Sequence, residues 1–233
     1  MTLPSNRFAF NAGFSFLIAV GMASSIVSLS GCSGKPIDEN DPAALYKEAQ
    51  EEINSDHYQL AIDKLRIIKN KFPYSKYSTD AQLKIADVYF LQESFTEAAL
   101  AYESFRDLHP RHEKVGYAMF RVGKSYFNDA PGNVARDMTP ATKSLDAYND
   151  FIKKFPTAPE SDEARKDIAS LRKTLAQKEL YIANFYFKRD FYLSAKNRYT
   201  KLLELFPETD PAKEAKDKLE AVTQKLAQEA EKK

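Results

Sequence analysis

From Phe8 to Leu29 the chain is apolar with only small or weakly polar interruptions, and from Ser33 to Asp41 it is polar with no periodic apolar position. Beyond Pro42, apolar residues recur three and four apart, the spacing that lines one face of a helix, and strand-like alternation is scarce. Four segments end in a proline after an aromatic residue or histidine: Phe72-Pro73, His109-Pro110, Phe155-Pro156 and Phe206-Pro207. Counting back from these prolines exposes a repeat. Ala86, Tyr89, Phe95, Ala98 and Tyr102 precede Pro110 as Ala183, Tyr186, Tyr192, Ala195 and Tyr199 precede Pro207, at a constant offset of 97 positions. The first unit carries the same skeleton in Ala49, Tyr58, Ala61, Leu65 and Pro73.

Self-similarity at a period of about 34 residues is the signature of tetratricopeptide-type helical hairpins. The expected fold is all-α, a right-handed solenoid of about five such hairpins over residues 42–233. Where two helices cross closely only a small side chain fits, which assigns Ala49, Ala61, Ala86, Ala98, Ala183 and Ala195 to the crossings. Tyr89, Tyr102, Tyr186 and Tyr199 lie at helical spacing from those alanines and fall on the same core stripe. Each proline stops a second helix, because it pushes the preceding residue out of the α region and has no N–H to donate. Asp41-Pro42 marks the first helix start in the same language. The third unit departs from the pattern: Val122-Gly123-Lys124-Ser125-Tyr126-Phe127 aligns with Ile85-Ala86-Asp87-Val88-Tyr89-Phe90, but Ser144 and Tyr148 arrive late. An insertion at about 129–139, where Pro131, Gly132 and Asn133 forbid a continuous helix, accounts for the delay. Ala215, Leu219, Val222 and Leu226 recur on a final helix that is otherwise charged, as a capping helix requires.

The apolar run after Arg7 reads as a secretory signal over residues 1–31 that is removed, although its length also suffices to span a bilayer. Leu29-Ser30-Gly31-Cys32 decides between the two, since it resembles the lipobox of bacterial lipoproteins, in which the cysteine is lipidated and becomes the new amino terminus. Cys32 is the single cysteine, so no internal disulfide competes for the thiol. Lipid on Cys32 makes a durable membrane anchor when two or more acyl chains are attached. By resemblance to Gram-negative sorting rules, Ser33 in place of Asp favours the outer membrane, with the folded part facing the periplasm. Residues 32–41 then form a lipidated flexible tether of roughly 15–18 Å mean reach.

Charge narrows the function classes. Lys and Arg number 34 against 33 Asp and Glu, and Arg7 lies in the leader, so the mature chain is balanced and carries no nucleic-acid footprint. The charged fraction of 29%, with no Trp and seven Gly, suits solvated outer faces of helices. No chemistry presents itself. His109 and His112 are separated by Pro110 and stand beside no acid-histidine motif, so no metal is expected there. There is no Walker loop, GxSxG or GxGxxG, and paired carboxylates such as Glu51-Glu52 belong to solvated faces. No catalytic residue and no cofactor is assigned, and the expectation is a binding protein rather than an enzyme.

Lipobox, short tether, hairpins and an insertion in the third together resemble the BamD family, lipoprotein subunits of the outer-membrane β-barrel assembly machine. More specific matches are Phe72-Pro73-Tyr74-Ser75-Lys76-Tyr77, Arg136-Asp137, Phe155-Pro156 followed by Ser161 and Asp162, and the stretch Leu175-Ala176, Glu179, Ile182-Ala183, Phe185-Tyr186 and Arg189. The resemblance implies that the carboxy-terminal repeats dock on a periplasmic POTRA domain of the BamA barrel. Arg198, on the second helix of the fourth hairpin, falls at the place of a family contact, and Arg189 accompanies it. It also implies that other assembly-complex lipoproteins are partners, and that the amino-terminal repeats receive unfolded outer-membrane proteins, with Tyr74 and Tyr77 as candidate surface. The alternative is a general periplasmic tetratricopeptide scaffold serving cell-envelope or division proteins, which shares the anchor but lacks the POTRA contact.

Overall fold

A computed structural model describes residues 40–231. The leader, Cys32 and most of the expected tether lie outside the described residues. The described residues form α1 (Pro42–Asn54), α2 (Tyr58–Lys71), α3 (Lys76–Leu91), α4 (Phe95–Leu108), α5 (Val115–Asp129), α6 (Thr139–Lys154), α7 (Ser161–Phe187), α8 (Tyr192–Leu205) and α9 (Asp210–Glu231). Successive helices pack as the hairpins α1/α2, α3/α4, α5/α6 and α7/α8, the second helix of each lies on the first of the next, and α9 closes the stack against α7 and α8. The all-α hairpin fold read from the sequence is the one observed.

Local chemistry fixes the boundaries. The Asp41 carboxylate accepts the Ala43 amide at 2.8 Å and Pro42 occupies the first turn of α1. Ser75 caps α3 by accepting the Tyr77 amide at 3.2 Å, and Asp137 accepts the Thr139 amide at 3.0 Å where α6 begins. Helices α2, α4, α6 and α8 end at Phe72, His109, Phe155 and Phe206, whose φ values of −125° to −136° are those a following proline imposes. Three hairpin turns share another device: Asp56, Glu93 and Asp190 take φ near +60°. The next amide then reaches back five residues, His57 to Glu52, Ser94 to Tyr89 and Phe191 to Tyr186, satisfying carbonyls the helix end leaves open.

The core obeys the small-residue expectation. Ala49, Ala61, Ala86, Ala98, Ala183 and Ala195 are fully buried, and Gly123 holds the equivalent place in the third hairpin. Tyr102, Tyr148 and Tyr199 are buried between hairpins, and their hydroxyls donate to Asp87 at 2.7 Å, Asp167 at 2.7 Å and Asn184 at 2.5 Å. Partnering matters here, since a buried hydroxyl left without an acceptor costs about 1–3 kcal/mol. Among the described residues no buried side-chain polar atom lacks a partner. Tyr89 and Tyr186 are only half-buried, because their rings sit where a first helix approaches its turn; the Tyr89 hydroxyl accepts from Arg66 at 2.8 Å.

Two features set the geometry of the carboxy-terminal half. The α5–α6 link, residues 130–138, replaces the short turns of the other hairpins. Helix α7 runs 27 residues without proline or glycine. Its first turns close the third hairpin, where Asp167 accepts from Tyr148 and from Lys124 at 2.9 Å, while its last turns pair with α8. On α9, Ala215 and Val222 are buried, Leu219 and Leu226 pack beside them, and the remaining face is charged.

Candidate functional site

Among the described residues some partly exposed charged side chains are held in place by ion pairs to largely buried partners. Arg198 is one. On α8 it donates from Nη1 to Glu179 Oε2 at 3.1 Å, and Lys201, one turn on, donates to Glu179 Oε1 at 2.7 Å. The Glu179 side chain is 12% exposed, whereas that of Arg198 is 37% exposed. The pair is therefore unequal: a largely buried carboxylate holds a guanidinium that keeps part of its surface in solvent. Lys201 shares Glu179 with it, and the exposed part of the Arg198 guanidinium has the geometry to meet a further carboxylate.

Arg189 stands in the α7–α8 turn with its guanidinium 4.3 Å from the centre of the Phe185 ring. Phe185 is itself exposed, and so are Tyr181, Phe191 and Leu193, while Phe185 and Phe191 both meet Tyr186 edge-on. This apolar cluster at one end of the fourth hairpin was visible in sequence only as Phe185-Tyr186 and Phe191-Tyr192. Periodicity assigns such rings to a core and gives no sign that the hairpin runs out of neighbours to cover them. A stack of aromatic side chains with an arginine on top is the composition typical of protein-docking centres.

The tyrosines of the amino-terminal candidate surface divide. Tyr74, in the α2–α3 corner, is fully exposed. Tyr77 is half-buried in the first turn of α3, packed 5.6 Å from the Tyr46 ring with Lys76 over its face. They belong to a different hairpin boundary from Arg189 and Arg198, so the candidate residues form two surfaces rather than one.

Tyr102 and Tyr148 are held protonated far above the ordinary range, foremost by burial and then by Asp87 or Asp167 respectively. His109 is pushed below its usual value by burial and by neighbouring His112. No group of side chains that could hold a metal ion occurs among the described residues, and none of their helices is long and apolar enough to cross a membrane.

Residues 38–233 match the family model YfiO, described as an outer membrane lipoprotein. A protein of Vibrio cholerae titled outer membrane protein assembly factor BamD is 28% identical over 84% of this chain and 86% of its own length. The protein of that title from Neisseria meningitidis is 30% identical over 78% of this chain and 72% of its own, and that from Pasteurella multocida 26% identical over 85% and 80%.

Proposed function

Because the chain belongs to the YfiO (BamD) family of outer membrane lipoproteins, we propose that it is a lipoprotein subunit of the outer-membrane protein assembly machinery, anchored through lipid on Cys32. It acts as a scaffold, not an enzyme. The fourth hairpin docks on a periplasmic POTRA domain of a BamA-like barrel, with Arg198 gripping a carboxylate and Arg189 and the rings around it covering apolar surface. The α2–α3 corner, with Tyr74 and the exposed edge of Tyr77, meets unfolded outer-membrane proteins, and further lipoproteins of the complex bind elsewhere on the repeats.

The observation that carries this reading is Arg198 itself, oriented by Glu179 with part of its guanidinium open to solvent. Detergent pull-down of the tagged lipoprotein from its own cells, with Arg198→Glu in parallel, tests it. Wild type recovers a BamA-like barrel and the variant loses it, with helical circular dichroism retained in both. Recovery of division or cell-wall proteins without a barrel sinks the proposal in favour of a general scaffold, and loss of helicity in the variant makes Arg198 a structural residue.

A further inference from the structure

A second surface lies where the α5–α6 link folds back over the third and fourth hairpins. A groove of about 590 Å³ opens there between α6, α7, α8 and the link, within the size range of sites that take an apolar anchor with a few polar contacts. Its floor is the residual surface of Met138, Leu145, Leu175 and Phe206, all nearly buried by their own helices, with the exposed Leu205 beside them. Its rim is cationic, with Lys143, Arg172, Lys178 and Lys201 facing two carboxylates, Asp137 and Glu179.

The partners of these charges decide what the groove lacks. Glu179 is spent on Arg198 and Lys201. Asp137 Oδ1 takes both the amide and the hydroxyl of Thr139, and Arg172 bonds Glu208. That leaves Lys143 and Lys178 with no ion pair among the described residues, although Lys178 feels the nearby carboxylate charge of Asp137. Lys178 donates to the carbonyl oxygens of Ala135 at 3.4 Å and Arg136 at 2.9 Å, which orient the ammonium without neutralising it. Lys143 rests over the Tyr126 ring at 5.1 Å, where the ring likewise leaves the charge in place.

We propose that this groove is a docking site for an extended acidic peptide segment of a partner protein, apolar side chains alternating with Asp or Glu. The apolar side chains seat on Met138, Leu145, Leu175 and Leu205, and the carboxylates pair with Lys178 and Lys143. A small free anion gains nothing from the floor, and an uncharged apolar segment leaves the two ammonium groups without partners, so charge and surface together select this chemistry. The α5–α6 link thereby acquires a role: it supplies Met138 and the carbonyls that aim Lys178. The groove adjoins the barrel contact proposed for Arg198 through their shared Glu179, and the two are told apart by different readouts and by Lys143, which bonds neither Glu179 nor Arg198.

The probe is a short fluorescently labelled peptide alternating Asp with Leu and Phe, titrated by anisotropy into the full lipoprotein in detergent micelles beside a counterpart with Asn at every Asp. The Asp peptide binds about tenfold more tightly than the Asn peptide, a difference of about 1.4 kcal/mol. Lys143→Glu and Lys178→Met each abolish most of that preference, and barrel recovery in the pull-down is unchanged. Equal binding of the two peptides to wild type overturns the proposal. Because Lys178→Met also releases the link, Lys143→Glu is decisive, since that side chain bonds no atom of the link; an unaltered preference in that variant overturns the proposal as well.

Discussion

Ser144 Oγ donates to the carbonyl oxygen of Gly123 at 2.8 Å across the α5–α6 crossing, and both residues are buried. A hydroxyl reaches a backbone carbonyl inside a foreign helix only where no side chain intervenes. At Gly123 an added Cβ would lie 2.5 Å from the Tyr148 ring, which is itself held by its hydroxyl to Asp167. The ring therefore has no free direction in which to yield. Gly123→Ala gains about 1 kcal/mol of helix propensity but loses about 1–3 kcal/mol to overpacking, and the net effect is a lower unfolding midpoint in urea. Gly116→Ala in the same helix is the contrast: its Cβ meets Phe155 at 3.4 Å, an ordinary contact, and it raises the midpoint slightly. A Gly123→Ala protein as stable as wild type would show that the crossing is slack.

Glu93 occupies a left-handed conformation, φ 58°, that a Cβ disfavours by about 1–2 kcal/mol. Asp56 and Asp190 offset the same strain by accepting the hydroxyls of Tyr58 and Tyr192 at 2.6 Å. Glu93 has Phe95 in the corresponding place, so no such bond forms. Glu93→Gly accordingly stabilises the protein by about 0.5–1 kcal/mol, read as a rise in thermal midpoint. Asp56→Gly gains less, because it discards a hydrogen bond. The reverse order of the two would refute this account.

Asp167 binds the Tyr148 hydroxyl and the Lys124 ammonium between the third hairpin and α7. Asp167→Ala leaves a buried tyrosine hydroxyl without its acceptor and costs about 2 kcal/mol. The companion substitution Tyr148→Phe removes the unmet donor, so the double variant recovers part of the loss. A strictly additive double-mutant cycle would count against the pair.

Alkali should unfold the protein in a defined window. Burial raises the phenols of Tyr46, Tyr117 and Tyr199 from 10.0 to about 12, reinforced by Asp80, Asp87 and Glu214 respectively. A group whose folded pKa is raised binds its proton more tightly in the native state, so its contribution is complete below pH 10 and is lost as pH rises towards 12. Phenolate absorbance and loss of helical circular dichroism should therefore rise together across that interval. Phenolate absorbance that develops fully with helicity intact would mean that these rings are not sealed by the fold.

The helices were legible because their determinants are local. The proline stops, the cap at Asp41-Pro42 and the crossing alanines each act within a turn or two of chain, and the structure realises them where the sequence sets them. The break in the third unit was legible for the same reason, since Pro131, Gly132 and Asn133 sit between α5 and α6. What the repeat concealed was α7. Measured against a fixed period, Ser161–Phe187 is too long for one element, yet nothing within it stops a helix and no local signal marks where one hairpin hands over to the next. The docking candidates were less legible still. Tyr74 and Tyr77 look alike in sequence, and only the position of Tyr46 separates an exposed ring from a packed one. Lys178 is one lysine among many until the link folds back to place two carbonyls on it.

At a rise of 1.5 Å per residue, α7 is a rod of about 40 Å. It is an axle common to two hairpins that in a regular array would meet at a joint. Glu179 on this rod holds Arg198, and nearer its start Asp167 is bound to Tyr148 and Lys124. Adjustment between these hairpins thus requires bending a continuous ladder of backbone hydrogen bonds, where two separate helices would have offered a hinge.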